Sequence, residues 1–191
     1  DTNRDKTLAI GNFDVLFKDK AQADVKTLIL SEMAAGYEAA LTLEDSAQVK
    51  VTGSSNVDAN TSSIMIGHWN GPSTLTLRDN AKFVAESADV LVGKTGNTQS
   101  IVLEGGEMRV RGVKLSASAS GTNTLTLAGG KLLVGDTGIA RYGSSTMTLN
   151  CEGGTLGALA GTVTLGADAA AAIATLNGEP VFASAEGATL A

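Results

Sequence analysis

Apolar residues recur along the chain as pairs separated by one residue, and the pairs return at intervals that shorten from the N-terminal to the C-terminal half. The best-marked pairs are Leu41-Thr42-Leu43, Leu75-Thr76-Leu77, Ile101-Val102-Leu103, Leu125-Thr126-Leu127 and Met147-Thr148-Leu149, stepped by 34, 26, 24 and 22 residues. An alternation of period two sends the outer members of each triplet to one face and the central Thr or Val to the other. The Leu, Ile and Met face is the expected interior.

Each triplet is followed, after a tight turn, by a second alternating run: QVKV at 48–51, KFVA at 82–85, EMRV at 107–110, KLLV at 131–134 and GTLG at 154–157. The turns are Asp45-Ser46-Ala47, Asp79-Asn80-Ala81, Gly105-Gly106 and Gly129-Gly130. Gly, Asn and Asp are the residues that tolerate positive φ, as such corners require. A third run precedes each triplet: LILS at 28–31, IMIG at 64–67, VLVG at 90–93, VKLS at 113–116 and the weaker GIARYG at 138–143. Loops rich in Gly, Ser and Asn join the third run to the triplet.

Repeats of this kind predict a solenoid, because each unit can bury its apolar side only against its neighbours. The expected fold is all-β: a right-handed parallel β-helix with three strands per coil and about six coils, the hand following the rule for parallel crossovers. The predicted organisation is an N-terminal incomplete coil or cap over 1–27, regular coils over 28–162 and a degenerate coil over 163–191. In the first part, Leu8 and Ile10 are expected where Leu41 and Leu43 stand later. The stretch 17–28 is read as a loop into the next strand, with a short capping helix through Ala21, Val25 and Leu28 as the alternative.

Composition sharpens this picture. Aromatic residues are only 4% of the 191 residues, so the interior must be a thin stack of aliphatic side chains. The 20 acidic residues outnumber the 14 basic ones and no basic cluster occurs, which argues against nucleic acid as a partner. One cysteine, Cys151, allows no internal disulfide and is expected as a small apolar core residue. The hydrophilic start DTNRDK is not a signal peptide, and no stretch reaches the ~18 apolar residues of a membrane span, so membrane insertion of this segment is not expected.

The phrase IMIGHWNGPSTLTLRDNAKFVAESADVLVGKTG, followed by NTLTLAGGKLLVGDTG and CEGGTLGALAGTVTLGADAA, resembles the autotransporter-associated β-strand repeats of bacterial surface proteins. The resemblance spans residues 25–168. Two coils carry Asp-Ser or Asp-Asn where the repeat family has Gly-Gly. The resemblance implies a passenger-type segment at the extracellular or bacterial outer-membrane surface, with a structural or adhesive role. A glycan or a surface protein is then the expected partner, with end-to-end or edge self-association as another.

Candidate chemistry is sparse. Some β-helices are polysaccharide lyases or hydrolases, which gather carboxylates and a base on one outward face. The outward residues here are Glu86, Glu104, Glu107, Arg109 and Arg111, and their alternation with Met108 and Val110 is also what a solvated face looks like. No catalytic residue, metal site or cofactor is assigned. His68 and Trp69 are the only His and Trp of the chain and share one loop. A loop Trp can stack on a sugar ring or fold back over the coil edge. With Lys94 and Asn97 of the next loop they form the expected binding edge. Gly93-Lys94-Thr95 lacks the earlier glycine of a phosphate loop, since Ala88 stands there, and no helix follows it. Outward Thr74, Thr76, Thr124, Thr126, Thr146 and Thr148 resemble the flat arrays of ice-binding β-helices, although Thr is also simply a good exposed strand residue.

Overall fold

The computed structural model describes residues 6–31, 38–54, 63–68, 71–94, 97–115, 121–141, 146–160 and 181–182. Among these residues there is no helix, and parallel sheets form a β-solenoid of about 4 turns. The degenerate coil expected over 163–191 lies outside the described residues except for 181–182.

One sheet stacks the triplet strands in six levels: β2 (Asp14–Phe17), β5 (Ala39–Leu43), β8 (Ser73–Leu77), β10 (Gln99–Leu103), β12 (Thr122–Leu127) and β14 (Thr146–Cys151). Every pairing is parallel and in register, with Leu41 beside Leu75, Leu75 beside Ile101 and Ile101 beside Leu125. The next partner is Leu149, and Leu127 lies beside Cys151. The last triplet is therefore Leu149-Asn150-Cys151 and the final step is 24 residues rather than 22, as the positions 125 and 149 show. A slip of two residues keeps the same side chains inside, so alternation alone could not detect it. The anchor is the turn: Cys151-Glu152-Gly153-Gly154 repeats Leu103-Glu104-Gly105-Gly106. Correspondingly the following strand, β15, is Thr155–Ala158, one residue later than the run GTLG.

The second sheet contains β1 (Thr7–Ile10), β3 (Gln22–Val25), β4 (Thr27–Leu30), β6 (Gln48–Val51), β7 (Ile64–Ile66), β9 (Lys82–Val92), β11 (Glu107–Leu115), β13 (Lys131–Arg141), β15 and β16 (Val181–Phe182). The runs KFVA and VLVG are one bent strand here, and β6 and β7 both pair with it. Register shifts at the bend, between Val110 and Gly112 of β11, absorb corners of different length. Such bulges re-aim the chain without ending the ladder.

The N-terminal stretch differs from expectation. Leu8 and Ile10 of β1 lie beside Leu28 and Leu30, while Val15 and Phe17 of β2 take the places beside Leu41 and Leu43. Residues 22–25 form β3, paired with β6, rather than a loop or a capping helix. Gln22-Ala23-Asp24-Val25 alternates like Gln48-Val49-Lys50-Val51, a short strand signal that the helical spacing of Ala21, Val25 and Leu28 obscures.

Inside, one apolar cluster runs the length of the stack, including Leu41, Leu75, Leu103, Leu125, Phe83, Val110 and Ile139. Leu41, Leu75, Ile101 and Leu125 are all fully buried. Cys151 is buried in the column of Leu127, and burial pushes its thiol pKa up. The outward Thr column is interrupted, since Val102 stands between Thr76 and Thr126 and Asn150 follows Thr126.

Leu125→Ala should destabilise the solenoid by about 2 to 5 kcal/mol, from lost burial plus the cavity left behind. Hydrogen exchange should show amides of β10, β12 and β14 losing protection before those of β2 and β5, because each coil contacts only its neighbours. Uniform loss along the stack would contradict this.

Candidate functional site

Two loops meet on one edge of the solenoid because the strands that launch them are in register. Strand β7 ends at Ile66, beside Val92 of β9, so Gly67 follows next to Gly93 and His68 next to Lys94. One strand spacing, ~4.8 Å, separates the levels. Both glycines are left-handed, with φ of 81° and 77°. Ser31 closes the same corner one level earlier at φ 59°.

The loops return through Gly71-Pro72 into β8 and through Asn97-Thr98 into β10, with Ser73 beside Gln99. Asn97 therefore comes back one level from Gly71, and its backbone lies against Gly121 so closely that a side chain at 121 would overlap it. His68, Lys94 and Asn97 are thus brought to one edge, each half-buried. The backbone N–H of His68 donates to the Leu30 carbonyl at 3.1 Å, and its ring Nδ1 is shielded from solvent. Trp69 lies outside the described residues.

Beneath this edge is a feature that sequence reasoning missed. Ala39, Ser73, Gln99 and Asn123 occupy one inward column, and all four are buried. A Cβ on Gly67 would overlap the Gln99 side chain, and one on Gly93 would overlap that of Asn123. Gln99 Nε2 donates to the Gly71 carbonyl at 3.4 Å, tying the inside of one loop to the strand of the next level. The available signal was a polar residue six positions after each left-handed glycine, at 73 and 99.

The outward charges are committed to neighbouring levels. Arg109 donates from Nε to Glu86 at 2.5 Å and from Nη1 to Glu107 at 3.3 Å. Arg78 donates to Glu104 at 2.6 Å. Arg111 grips Asp89 bidentately, Nε to Oδ1 and Nη2 to Oδ2, both at 2.9 Å. The hydrogen bonds to Glu104, Glu86 and Asp89 are the main reason the guanidinium pKa values of Arg78, Arg109 and Arg111 are raised. Asp89 is the one acid in this set that is buried, at 2% exposure, and the sequence reading passed over it. Its place is the bend of β9, opposite Gly112, where Arg111 is the single corner residue of the next level. A Cβ on Gly112 would come 2.6 Å from the Thr137 Cβ, so the corner leaves no room for a larger residue.

The turn ladder changes chemistry along the stack. Asp19, Asp45 and Asp79 adopt φ of 57°, 57° and 52°. The carboxylates of Asp45 and Asp79 each accept from the backbone N–H of the preceding Asp in this column, at 3.1 Å. From Gly105 onward the turn is one residue shorter and uses Gly106, Gly130 and Gly154 at φ of 69°, 64° and 76°. Where the two turn types meet, a surface groove of about 360 Å³ opens between Asp79, Lys82, Glu107 and Lys131. Among the described residues no group of three or more His, Cys, Asp or Glu side chains is placed to hold a metal ion. Comparison of the chain with protein-family models, with curated proteins and with solved structures finds no match.

Arg111→Ala strands the buried Asp89 carboxylate and should cost roughly 3 kcal/mol, toward the low end for a broken buried pair because Arg111 itself keeps some water contact. Arg78→Ala, in an exposed pair, should stay within about 1 kcal/mol. Urea unfolding of the two variants decides between a structural ladder and decorative surface pairs. Separately, Gly93→Ala should lose about 1 to 3 kcal/mol from the left-handed backbone alone. Overlap with Asn123 adds to that, so Asn123→Ala in the same chain should restore part of the loss; strictly additive losses would show that the two do not touch.

Proposed function

We propose that this chain is a non-enzymatic structural or adhesive segment of an exported bacterial surface protein, displayed outside the cell or on the outer membrane. On this reading it is a right-handed β-helix with three strands per coil and about six coils, similar to autotransporter passenger repeats. The observation that carries the proposal is the use made of the outward charges. Arg78, Arg109 and Arg111 each bind an acid contributed by an adjacent level, Glu104, Glu86 and Asp89. A carboxylate serving as general acid or base needs an approachable substrate and a tuned environment. Here the carboxylates are used to lock coil to coil, as a load-carrying rod requires.

The partner on this reading is a glycan or a surface protein, engaged at the edge of His68, Trp69, Lys94 and Asn97. Longer loops on a repeat scaffold are where ligand contacts concentrate, since the two-residue Gly-Gly turns present only backbone. Trp69 would supply stacking area and Asn97 a hydrogen bond.

A printed glycan array and a mucin-coated surface test the idea. The chain should be retained on at least one, and Trp69→Ala should reduce retention at least about tenfold, the scale of losing one aromatic anchor, with circular dichroism and melting temperature unchanged. No retention of the parent chain, or equal retention of the variant, would defeat the adhesive reading at this edge. A rise in ultraviolet absorbance on incubation with alginate or polygalacturonate, the signature of an unsaturated uronate, would favour a polysaccharide lyase instead.

A further inference from the structure

The groove of about 360 Å³ follows one corner of the solenoid, from the turn at Asp79 past Gly105, Gly106 and Gly130 to Thr155. Its wall is the column that opens the second sheet, where Lys82, Glu107, Lys131 and Thr155 succeed one another by direct pairing. Four levels are spanned, ~14 Å along the stack. Strands β9, β11 and β13, which supply the first three of these residues, are each paired on both sides. The glycine turns raise no side chain into the groove. Asp79 stands at one end, and its carboxylate accepts from the backbone N–H of Asp45, one level earlier, at 3.1 Å.

The charges along this wall are the reverse of those elsewhere on the surface, where base and acid of adjacent levels are joined. Lys82 and Lys131 are exposed, and among the described residues no salt bridge engages either. Glu107 lies between them and is the acid that a charge ladder would give them, but it accepts instead from Nη1 of Arg109 at 3.3 Å. Two lysines are thus rooted two levels apart, ~9.6 Å, above a floor of backbone. Such a site suits an anionic chain lying along the stack. An extended peptide turns its side chains to one side every ~6.8 Å and misses this spacing. In a β-linked glycan shaped as a two-fold ribbon, each sugar advances the chain by about one strand spacing, and every second sugar faces the same way. A carboxylate on every second sugar then meets Lys82 and Lys131 in turn, and the sugar between them offers hydroxyl donors to Glu107.

We infer that this corner groove binds a linear acidic glycan with a uronate on every second sugar. The chain lies lengthwise, its carboxylates on Lys82 and Lys131 and an intervening hydroxyl on Glu107. The contacts are charge-assisted and open to solvent, so binding weakens as salt is raised. The groove follows the triplet strands, whereas the loops of His68 and Lys94 precede them, so the two sites are separate. The inference does not depend on what those loops hold.

Fluorescence anisotropy of a labelled hyaluronan hexasaccharide, which carries one carboxylate per two sugars, titrated with the full chain at low salt, tests it. The chain should bind this probe, and bind the neutral chitin hexasaccharide at least about tenfold more weakly. Lys82→Gln and Lys131→Gln should each raise Kd about five- to tenfold, the scale of one charge-assisted contact. Lys114→Gln makes the same charge change beyond the bend of β11 and should leave Kd unchanged. Spacing is tested by combining Lys131→Gln with Thr155→Lys, which keeps the net charge but sets the lysines three levels apart; binding should not return. Trp69→Ala should bind the hexasaccharide as the parent does, which separates this site from the loop edge. Circular dichroism equal to the parent's keeps these readings free of folding defects. No binding by the parent chain, or equal binding of the neutral hexasaccharide, would overturn the proposal. So would equal weakening by Lys114→Gln, recovery in the shifted-lysine variant, or loss of the probe in Trp69→Ala.

Discussion

Everything in this molecule depends on the parallel in-register ladder between successive coils. A strand in it pairs with the same strand one level earlier and one level later, as Leu41, Leu75, Ile101 and Leu125 do along one column. Backbone N–H and C=O groups must be paired when buried, and here the neighbouring coil is what pairs them. Like positions are therefore stacked ~4.8 Å apart, and each column must be chemically compatible with itself. An apolar column stacks without difficulty. A charged column does so only if its signs alternate or its charges are shared.

The outward columns follow that constraint. In the column after the triplet, Lys18, Glu44, Arg78 and Glu104 succeed one another with alternating sign, and the last two are joined directly. Asp19, Asp45 and Asp79 are the exception, three acids in one column. Each of the last two gives its carboxylate to a backbone N–H of the preceding level instead of meeting its like. Gly-Gly replaces this device in later coils, where no carboxylate is available and a left-handed residue is still required. The corners thus show two solutions to one geometric demand, and the surface groove lies where they meet.

The same constraint connects the candidate binding edge to the interior. His68 and Lys94 are adjacent because Ile66 and Val92 are paired, and the loops keep their spacing because Gln99 and Asn123 press from inside on Gly67 and Gly93. A binding edge built this way is held by the ladder and leaves its loop side chains free to vary. Among the described residues β1, β2 and β3 are the first members of the ladder, and Leu8, Val15, Phe17 and Ala23 there are partly buried against the core.

Alternation, turn residues and repeat spacing were sufficient by themselves to determine the class of fold, the inward residues of most coils and the position of the loops, because these depend on local period and on columns that recur. Register at the two ends was not legible from alternation alone. Leu149 and Cys151 satisfy the inward pattern no better than Met147 and Leu149, and only the stacking of Gly153-Gly154 on Gly129-Gly130 decides between them. Leu8 and Ile10 likewise fit two columns by pattern, and pairing with β4 selects one. The Asp89–Arg111 clasp and the buried Gln99 and Asn123 needed the tertiary structure for a different reason. A polar residue within an alternating run looks solvent-facing until the neighbouring coil supplies its partner, and that neighbour lies some two dozen residues away, at 22 for the clasp and 28 for the bond from Gln99 to Gly71.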